Sequence, residues 1–109
     1  EATIYLKVKE KDIMTVGIGN GPVNAMDSAL RKALIDHYPS LVDLKLTDYK
    51  VMILSSDKGT GAITRVLIES SDKTNKHWTT IGVSPNIIDA SYSAIFDSIT
   101  FKLFNDLKN

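Results

Sequence analysis

Alternating apolar and polar residues predict a short hairpin at the start of the chain. Ala2–Glu10 alternates cleanly, with the period of a half-buried strand. Lys11 and Asp12 then predict a tight polar turn, and the β-rich run Ile13–Ile18 predicts the second strand. This second strand leads directly into a glycine-rich stretch.

A glycine-rich turn and a helix follow the hairpin. The three glycines in residues 17–21 permit positive φ angles and a close approach to the main chain. Apolar residues at helical spacing predict a helix from Pro22 to about His37, and Pro39 ends it. The free N–H groups at such a helix start, together with the helix dipole, favour binding of a carboxylate or phosphate.

Three further strands and a second helix are predicted in the rest of the chain. Leu44–Leu54 changes phase, because its apolar residues lie at even positions before residues 47–48 and at odd positions after them, which predicts a bulge. Further strands are predicted at Ala62–Ser70 and His77–Val83. A second helix, opened by residues 84–86 and running to about Leu107, carries a wide apolar stripe that we expect to be buried.

The two strand–turn–helix passages repeat each other without a gap at an offset of 65 residues. Thr15-Val16-Gly17-Ile18 corresponds to Thr80-Ile81-Gly82-Val83. Ala25, Ser28, Ala29, Leu30 and Leu34 correspond to Ala90, Ser93, Ala94, Ile95 and Ile99. At the two helix starts, Gly21 with Asn24 and Asn86 with Asp89 predict loose capping boxes. The repeat predicts an α+β fold in which two pseudo-symmetric strand–helix units form one antiparallel sheet with both helices on one face, paired in a homodimer.

Composition removes several classes of function. The chain has 109 residues, enough for one domain over residues 1–109, with 43% hydrophobic and 24% charged residues. Thirteen basic and thirteen acidic residues cancel, so neither nucleic acid nor an anionic membrane is an expected partner. Cysteine is absent, which excludes disulfides and thiolate metal sites and fits a cytoplasmic location. Since the first residue is Glu1 and not Met, we expect a fragment of a longer protein.

The residues alone indicate no catalytic or metal centre and no cofactor. The glycine turn has neither the spacing of a Walker motif nor that of a dinucleotide fingerprint. His37 and His77 are interpreted as capping or packing residues. Asp48 and Tyr49 stand at the predicted phase change, where a bend re-aims side chains, so they are interpreted either as binding residues or as ordinary core residues.

Four motifs taken together resemble the C-terminal regulatory domain of the 2-isopropylmalate synthase and citramalate synthase family. They are Gly19–Ala25, Leu46–Val51, Thr64–Ser70 and Trp78–Ser91. The resemblance covers essentially the whole chain, and the last three motifs resemble citramalate synthase more closely. It implies a dimerising domain without catalytic residues or cofactors, which binds a branched-chain amino acid as the feedback inhibitor of a separate catalytic barrel of an acyltransferase.

The resemblance also implies positions for the effector. It places the effector at Gly19, Asn20, Gly21, Val23, Asn24, Leu46, Tyr49, Ile53, Ile81, Val83 and Ser84, with Asp48 and Asn86 as secondary candidates. Isoleucine is the effector of the citramalate synthases and leucine that of the isopropylmalate synthases. These two ligands differ only in the position of one methyl group. The shape of the pocket is therefore expected to separate their binding free energies by about 1–3 kcal/mol. Isoleucine is therefore favoured by resemblance alone.

Three hypotheses remain open at this point. The first is the regulatory module that binds isoleucine or leucine. The second is a purely structural dimerisation domain, in which the glycine turn makes only a tight connection. The third is a small enzyme that uses Asp48 or His77.

Overall fold

A computed structural model describes residues 2–8, 11–19, 21–54 and 61–107 of the chain. The elements in chain order are β1 (Ala2–Val8), β2 (Lys11–Gly17), α1 (Pro22–Leu34), a 3₁₀ helix (Pro39–Asp43), β3 (Lys45–Leu54), β4 (Ile63–Ser71), β5 (His77–Ser84) and α2 (Ile87–Leu107). The chain clusters into two compact units, which we call unit 1 (Glu1–Val42) and unit 2 (Asp43–Asn109).

Unit 1 is a hairpin covered by one helix. β1 and β2 pair antiparallel with Tyr5 opposite Met14, and α1 packs against both strands. The buried apolar side chains of this unit are Ile4, Val23, Ala25, Met26, Ala29, Leu30, Ala33, Leu34 and Leu41. Ile4 lies on the hairpin and Leu41 in the 3₁₀ helix, and the others form one stripe of α1, as the spacing predicts.

Two predicted boundaries in unit 1 were wrong. Lys11 and Asp12 do not form the turn, because they pair with Val8 and Lys7 as the first residues of β2. The last predicted residues of the first strand, 9 and 10, lie outside the described residues. α1 ends at Leu34 and not near His37, since the N–H groups of His37 and Tyr38 both donate to the carbonyl of Leu34 and close the helix early.

Unit 2 is a three-stranded antiparallel sheet in the order β3-β4-β5, with α2 packed against β4 and β5. The predicted bulge is confirmed, because the register shifts between Leu46 and Asp48. The Thr47 hydroxyl fixes this irregularity by donating to the carbonyl of Glu69 at 3.2 Å. The buried apolar residues are Leu44, Val66, Ile68, Trp78, Ala90, Ala94, Ile95 and Ile99.

The sheet of unit 2 has one face toward α2 and one open face. Directly paired residues point to the same face of an antiparallel sheet. Val66 and Gly82 are paired and buried under α2, so the residues in phase with them share the helix face. Arg65 pairs with Met52 on one side and Val83 on the other, and these three residues lie on the open face.

The internal repeat is confirmed by one shared packing arrangement. A Cβ atom on Gly17 would overlap the carbonyl oxygen of Ala25 and the backbone of Ala29. A Cβ atom on Gly82 would overlap the carbonyl oxygen of Ala90 and lie 2.9 Å from the backbone nitrogen of Ala94. These residues correspond at the same offset of 65. Each unit therefore uses a glycine on its last strand to bring the following helix into backbone contact.

The α+β class and the two strand–helix units are confirmed. The strands differ from the expected arrangement in one respect, because they form a two-stranded and a three-stranded sheet where a single sheet was expected. The physical reason is local pairing, since every described strand pairs only with a neighbour in the chain and α1 and α2 each cover their own sheet. Pairing in a homodimer stays a prediction.

A buried charge cluster joins three segments at one end of unit 2. The Lys102 side chain of α2 is 4% exposed, and its Nζ lies 3.0 Å from Asp43 Oδ1, 3.0 Å from Asp106 Oδ1 and 4.0 Å from Asp72 Oδ2. Burial alone would lower the pKa of Lys102, but the hydrogen bonds and charges of Asp43 and Asp106 outweigh it and raise the pKa. Burial alone would raise the pKa of Asp43, but Lys102 and the N–H group of Lys73 outweigh it and lower the pKa. The cluster ties α2 to the start of β3 and to the β4–β5 turn.

Candidate functional site

The glycine turn of unit 1 leaves the start of α1 without a side-chain cap. Gly21 is the N-cap residue, with φ 125° and ψ 170°, and no side-chain hydrogen bond caps the helix there. This φ favours glycine, and a Cβ atom would meet nothing within 4 Å, so the space beside Gly21 is open. At Gly19, a Cβ atom would lie 2.7 Å from the backbone nitrogen of Ala25, so the turn presses closely on the helix start. Asn20 lies outside the described residues.

The other two predicted residues of this turn differ in exposure. Val23 is buried in the core of unit 1, whereas Asn24 is exposed. The capping box predicted for Gly21 and Asn24 is wrong, because no side-chain hydrogen bond caps α1. The start of α1 therefore combines open space, an exposed amide side chain and a helix dipole that no acidic residue of its first turn compensates.

The equivalent turn in unit 2 is capped by its own residues. Asn86 Oδ1 accepts a hydrogen bond of 2.7 Å from the N–H group of Ile88, and Ser84 Oγ accepts one of 3.2 Å from the N–H group of Asn86. Asp89 adds a negative charge to the first turn of α2. The backbone donors at this second helix start are thus partly occupied, unlike those of α1.

Three predicted residues of β3 share one face of the sheet. Leu46 pairs with Ser70 and Tyr49 with Ile68, and Ile53 pairs with Thr64, all on the face toward α2. α2 packs on β4 and β5 and not on β3, so this row stays accessible, and Ile53 is 68% exposed. The bulge produces the alignment, because without it Leu46 would point away from Tyr49.

The remaining predicted residues of unit 2 do not all lie on that face. Ser84 pairs with Thr64 on the helix face, whereas Ile81 and Val83 lie on the open face, 47% and 57% exposed. Asp48 also lies on the open face, where its Oδ1 accepts a hydrogen bond of 2.8 Å from the N–H group of Tyr49 and its Oδ2 lies 3.8 Å from Lys50 Nζ. The structure thus places Leu46, Tyr49, Ile53 and Ser84 on the helix face of the sheet. Ile81, Val83 and Asp48 lie on the opposite, open face.

Sequence reasoning missed an apolar surface on α2. The stripe expected to be buried is only partly so, because the helix exposes the large apolar side chains Ile87, Ile88, Phe96, Phe101, Phe104 and Leu107. The rings of Tyr92 and Phe96 stack with centroids 5.9 Å apart on this side. A helix that is apolar on all sides is normally covered on all sides. The missed signal was the density of charge outside the core stripe, because α1 has three such charged residues in 13 and α2 has three in 21.

No site for a metal or a membrane span is found within the described ranges. No group of three or more His, Asp or Glu residues there is placed to hold a metal ion. No helix in that part of the chain is long and apolar enough to cross a membrane.

Comparison with protein families identifies the kind of domain. Residues 1–103 match the model of the LeuA allosteric (dimerisation) domain. The chain belongs to this family. A LeuA-type domain is consistent with the described geometry, in which an open helix start, an accessible apolar row on β3 and an apolar helix surface occur in one small chain.

Curated relatives of this LeuA domain are much longer proteins. The chain is 56% identical over 103 residues to an (R)-citramalate synthase of Geobacter sulfurreducens, covering 94% of this chain and 19% of that protein. It is 52% identical over 106 residues to an (R)-citramalate synthase of Aquifex aeolicus, covering 97% of this chain and 20% of that protein. It is 52% identical over 102 residues to an (R)-citramalate synthase of a Synechocystis species, covering 94% of this chain and 18% of that protein. The chain thus spans about a fifth of the length of these relatives.

Proposed function

We propose that this LeuA domain is the regulatory part of an (R)-citramalate synthase and binds isoleucine as a feedback effector. The observation that carries the proposal is its identity of 50% or more to four proteins of that name over nearly the whole chain. The parent enzyme would be an acyltransferase that condenses acetyl-CoA with pyruvate in a separate catalytic barrel. The domain itself contributes regulation and no catalytic residue.

The start of α1 is the proposed site for the effector carboxylate. Its backbone donors have no capping side chain, and the space at Gly21 is open. The equivalent donors of α2 are partly taken by Asn86 and Ser84, which favours the glycine turn over its counterpart. The exposed amide of Asn24 supplies an acceptor for the ammonium group.

The apolar row on β3 is a second candidate contact, proposed for unit 2 by itself, and it would suit the branched side chain of an effector. Leu46, Tyr49 and Ile53 share one sheet face, and α2 does not cover them. Tyr49 combines an apolar ring with a hydroxyl, which suits a ligand that is apolar at one end and charged at the other.

A second copy of the chain is the proposed partner of the apolar surface on α2. Ile88, Phe96 and Phe104 are large and substantially exposed, and the family is described as a dimerisation domain. An isologous interface places the same patch of both copies in contact, so a single apolar helix surface is sufficient to form it. An effector that binds one dimer arrangement better than another would shift the equilibrium between them and so regulate the catalytic parts.

Isothermal titration with isoleucine, leucine and valine tests the effector proposal. Isoleucine should bind and raise the Tm, because a ligand that binds only the folded state stabilises it, by about 2.7 kcal/mol at a hundredfold excess over Kd. Tyr49→Ala should weaken binding about tenfold or more, whereas the control Thr79→Ala, on the open face, should leave it unchanged.

Each alternative has its own result in this experiment. Tighter binding of leucine would assign the domain to a leucine-regulated enzyme. Absence of heat and of any Tm change with all three amino acids, in a chain that still self-associates, would support a purely structural dimerisation domain.

A further inference from the structure

Two of the three methionines of the chain lie on exposed sheet surfaces. The chain contains no cysteine, so its sulfur is confined to Met14, Met26 and Met52. Met26 is 4% exposed in the core of unit 1, whereas Met14 is 59% and Met52 is 50% exposed. A thioether that water can reach is open to oxidation by a peroxide, which converts methionine to its sulfoxide. Met14 and Met52 are therefore the two candidates for such a modification.

The surroundings of Met52 differ from those of Met14. Met52 lies on the open face of the three-stranded sheet directly opposite Arg65, whose Nη2 donates to Met52 Sδ over 3.6 Å. Met14 lies opposite Tyr5 on the hairpin, and its sulfur accepts no hydrogen bond from the described residues. The two methionines thus have similar exposure, but only Met52 has a guanidinium at its sulfur.

No ion pair of the described residues draws the Arg65 guanidinium away from Met52. Asp48 and Glu69 share this sheet face, but they lie four residues farther along the strands, at about 13 Å. Lys50 lies between these two rows, and its Nζ is 3.8 Å from Asp48 Oδ2. The positive charge of Arg65 thus remains beside the sulfur of Met52.

We propose that Met52 is a site of reversible oxidation to the sulfoxide by hydrogen peroxide, promoted by Arg65. The sulfur lone pair attacks one peroxide oxygen, and an S–O bond forms as the O–O bond breaks. The departing hydroxide takes up the proton of the transferred oxygen and leaves as water, so sulfur is oxidised by two electrons and the peroxide is reduced. Negative charge develops on the departing oxygen, and a guanidinium at the sulfur is placed to donate to it.

Arg65 also suits the product of this reaction. A thioether sulfur is a weak hydrogen-bond acceptor, whereas a sulfoxide oxygen carries partial negative charge and accepts more strongly. The hydrogen bond from the guanidinium should therefore strengthen on oxidation. The modification replaces an apolar group of the open face by a polar one, and methionine sulfoxide reductases reverse it.

Peptide mass spectrometry during exposure to hydrogen peroxide tests the proposal, with Met14 as the internal reference. Exposure alone predicts that Met14 reacts at least as fast as Met52. A contribution from Arg65 should instead make Met52 about threefold faster, the size expected of one exposed charge interaction. Arg65→Leu should abolish this advantage, and Arg65→Lys, which retains the cation, should restore part of it. Lys50→Leu, which removes the other cation of this face, is the control and should leave the ratio of the two rates unchanged.

Two further measurements separate the contact with Arg65 from other causes. Circular dichroism of each variant establishes that the fold is retained. In the urea-unfolded chain the two methionines should react at equal rates, because Arg65 no longer lies beside the sulfur of Met52.

The ratio of the two oxidation rates decides the outcome. The proposal is overturned if Met14 reacts as fast as Met52 in the folded wild type, or if Arg65→Leu leaves the ratio unchanged. Slower oxidation of Met52 than of Met14 would also overturn it, since the hydrogen bond from Arg65 would then protect the sulfur. A sulfoxide at Met52 that resists methionine sulfoxide reductase in the folded chain would contradict the reversibility.

Discussion

The two units of the chain have the same interior and different exteriors. In both, a glycine on the last strand lies against two alanines of the following helix, Gly17 on Ala25 and Ala29, and Gly82 on Ala90 and Ala94. Away from the strands, however, Asp27 and Arg31 of unit 1 form a partly buried ion pair of 3.0 Å, and Arg31 also donates to the carbonyl of Leu41. The positions 65 residues later are Tyr92 and Phe96, which stack. The same i,i+4 geometry holds charges in one helix and aromatic rings in the other.

The difference shows that two repeated units of one chain can share their packing and present different surfaces. Helix–strand packing depends on the small residues at the interface, and both copies of the repeat retain them. The outer positions do not affect that packing, so they are free to become polar in α1 and apolar in α2. Unit 1 offers a polar helix surface and an uncapped helix start, which suit a small charged ligand. Unit 2 offers apolar surfaces, which suit association.

Replacing either packing glycine should give the largest effect and should test the equivalence of the two units. A Cβ atom at residue 17 or 82 overlaps helix backbone, which cannot move without displacing the helix. Gly17→Ala and Gly82→Ala should each lower the free energy of unfolding, measured in urea, by about 3 kcal/mol or more. Thr79→Ala, an exposed change on β5, should cost less than about 1 kcal/mol. A large loss for only one glycine would show that the shared packing is energetically unequal.

Removal of the buried lysine should give the next largest effect and should act on unit 2 alone. Lys102→Met leaves Asp43 and Asp106 without the cation of Lys102. The free energy of unfolding at pH 7 should therefore fall by about 3 kcal/mol. The pKa of Asp43 is lowered in the folded wild type, so its stabilising contribution is present above the ordinary value of 3.8 and is lost as pH falls through the lowered pKa. The difference between wild type and variant should therefore shrink in acid. A pH-independent difference would mean that Lys102 acts through packing only.

Exchange of the outer helix pairs should have the smallest effect on stability and a clear effect on association. Tyr92→Asp with Phe96→Arg puts the ion pair of α1 onto α2, and the free energy of unfolding of the monomer should change by less than about 1 kcal/mol. Association through α2 should weaken at least tenfold in sedimentation experiments, since the aromatic contact is removed. The reverse exchange in unit 1, Asp27→Tyr with Arg31→Phe, is the control and should not weaken association. Equal behaviour of both exchanges would remove α2 from the dimer interface.

Local patterns were sufficient to predict much of the secondary structure and one detail of the site. The phase change in β3 depends on the order of apolar residues alone, so the bulge beside Asp48 could be located to within one residue. The turn at Lys11 and Asp12 was placed wrongly, because polar residues at a hairpin end are compatible with either the turn or the paired strand. The effector residues came from resemblance, and their positions stay a prediction.

The sequence by itself determined the repeat and the α+β class, since these depend on residue type at fixed spacing. Only the tertiary structure decided which faces are covered. Whether Ile88 or Phe96 is buried depends on where the sheet ends beneath α2, and a helical apolar pattern does not contain that information. Likewise, Tyr49 and Ile81 lie on opposite faces of one sheet because of strand register, which is set by pairing between segments distant in sequence.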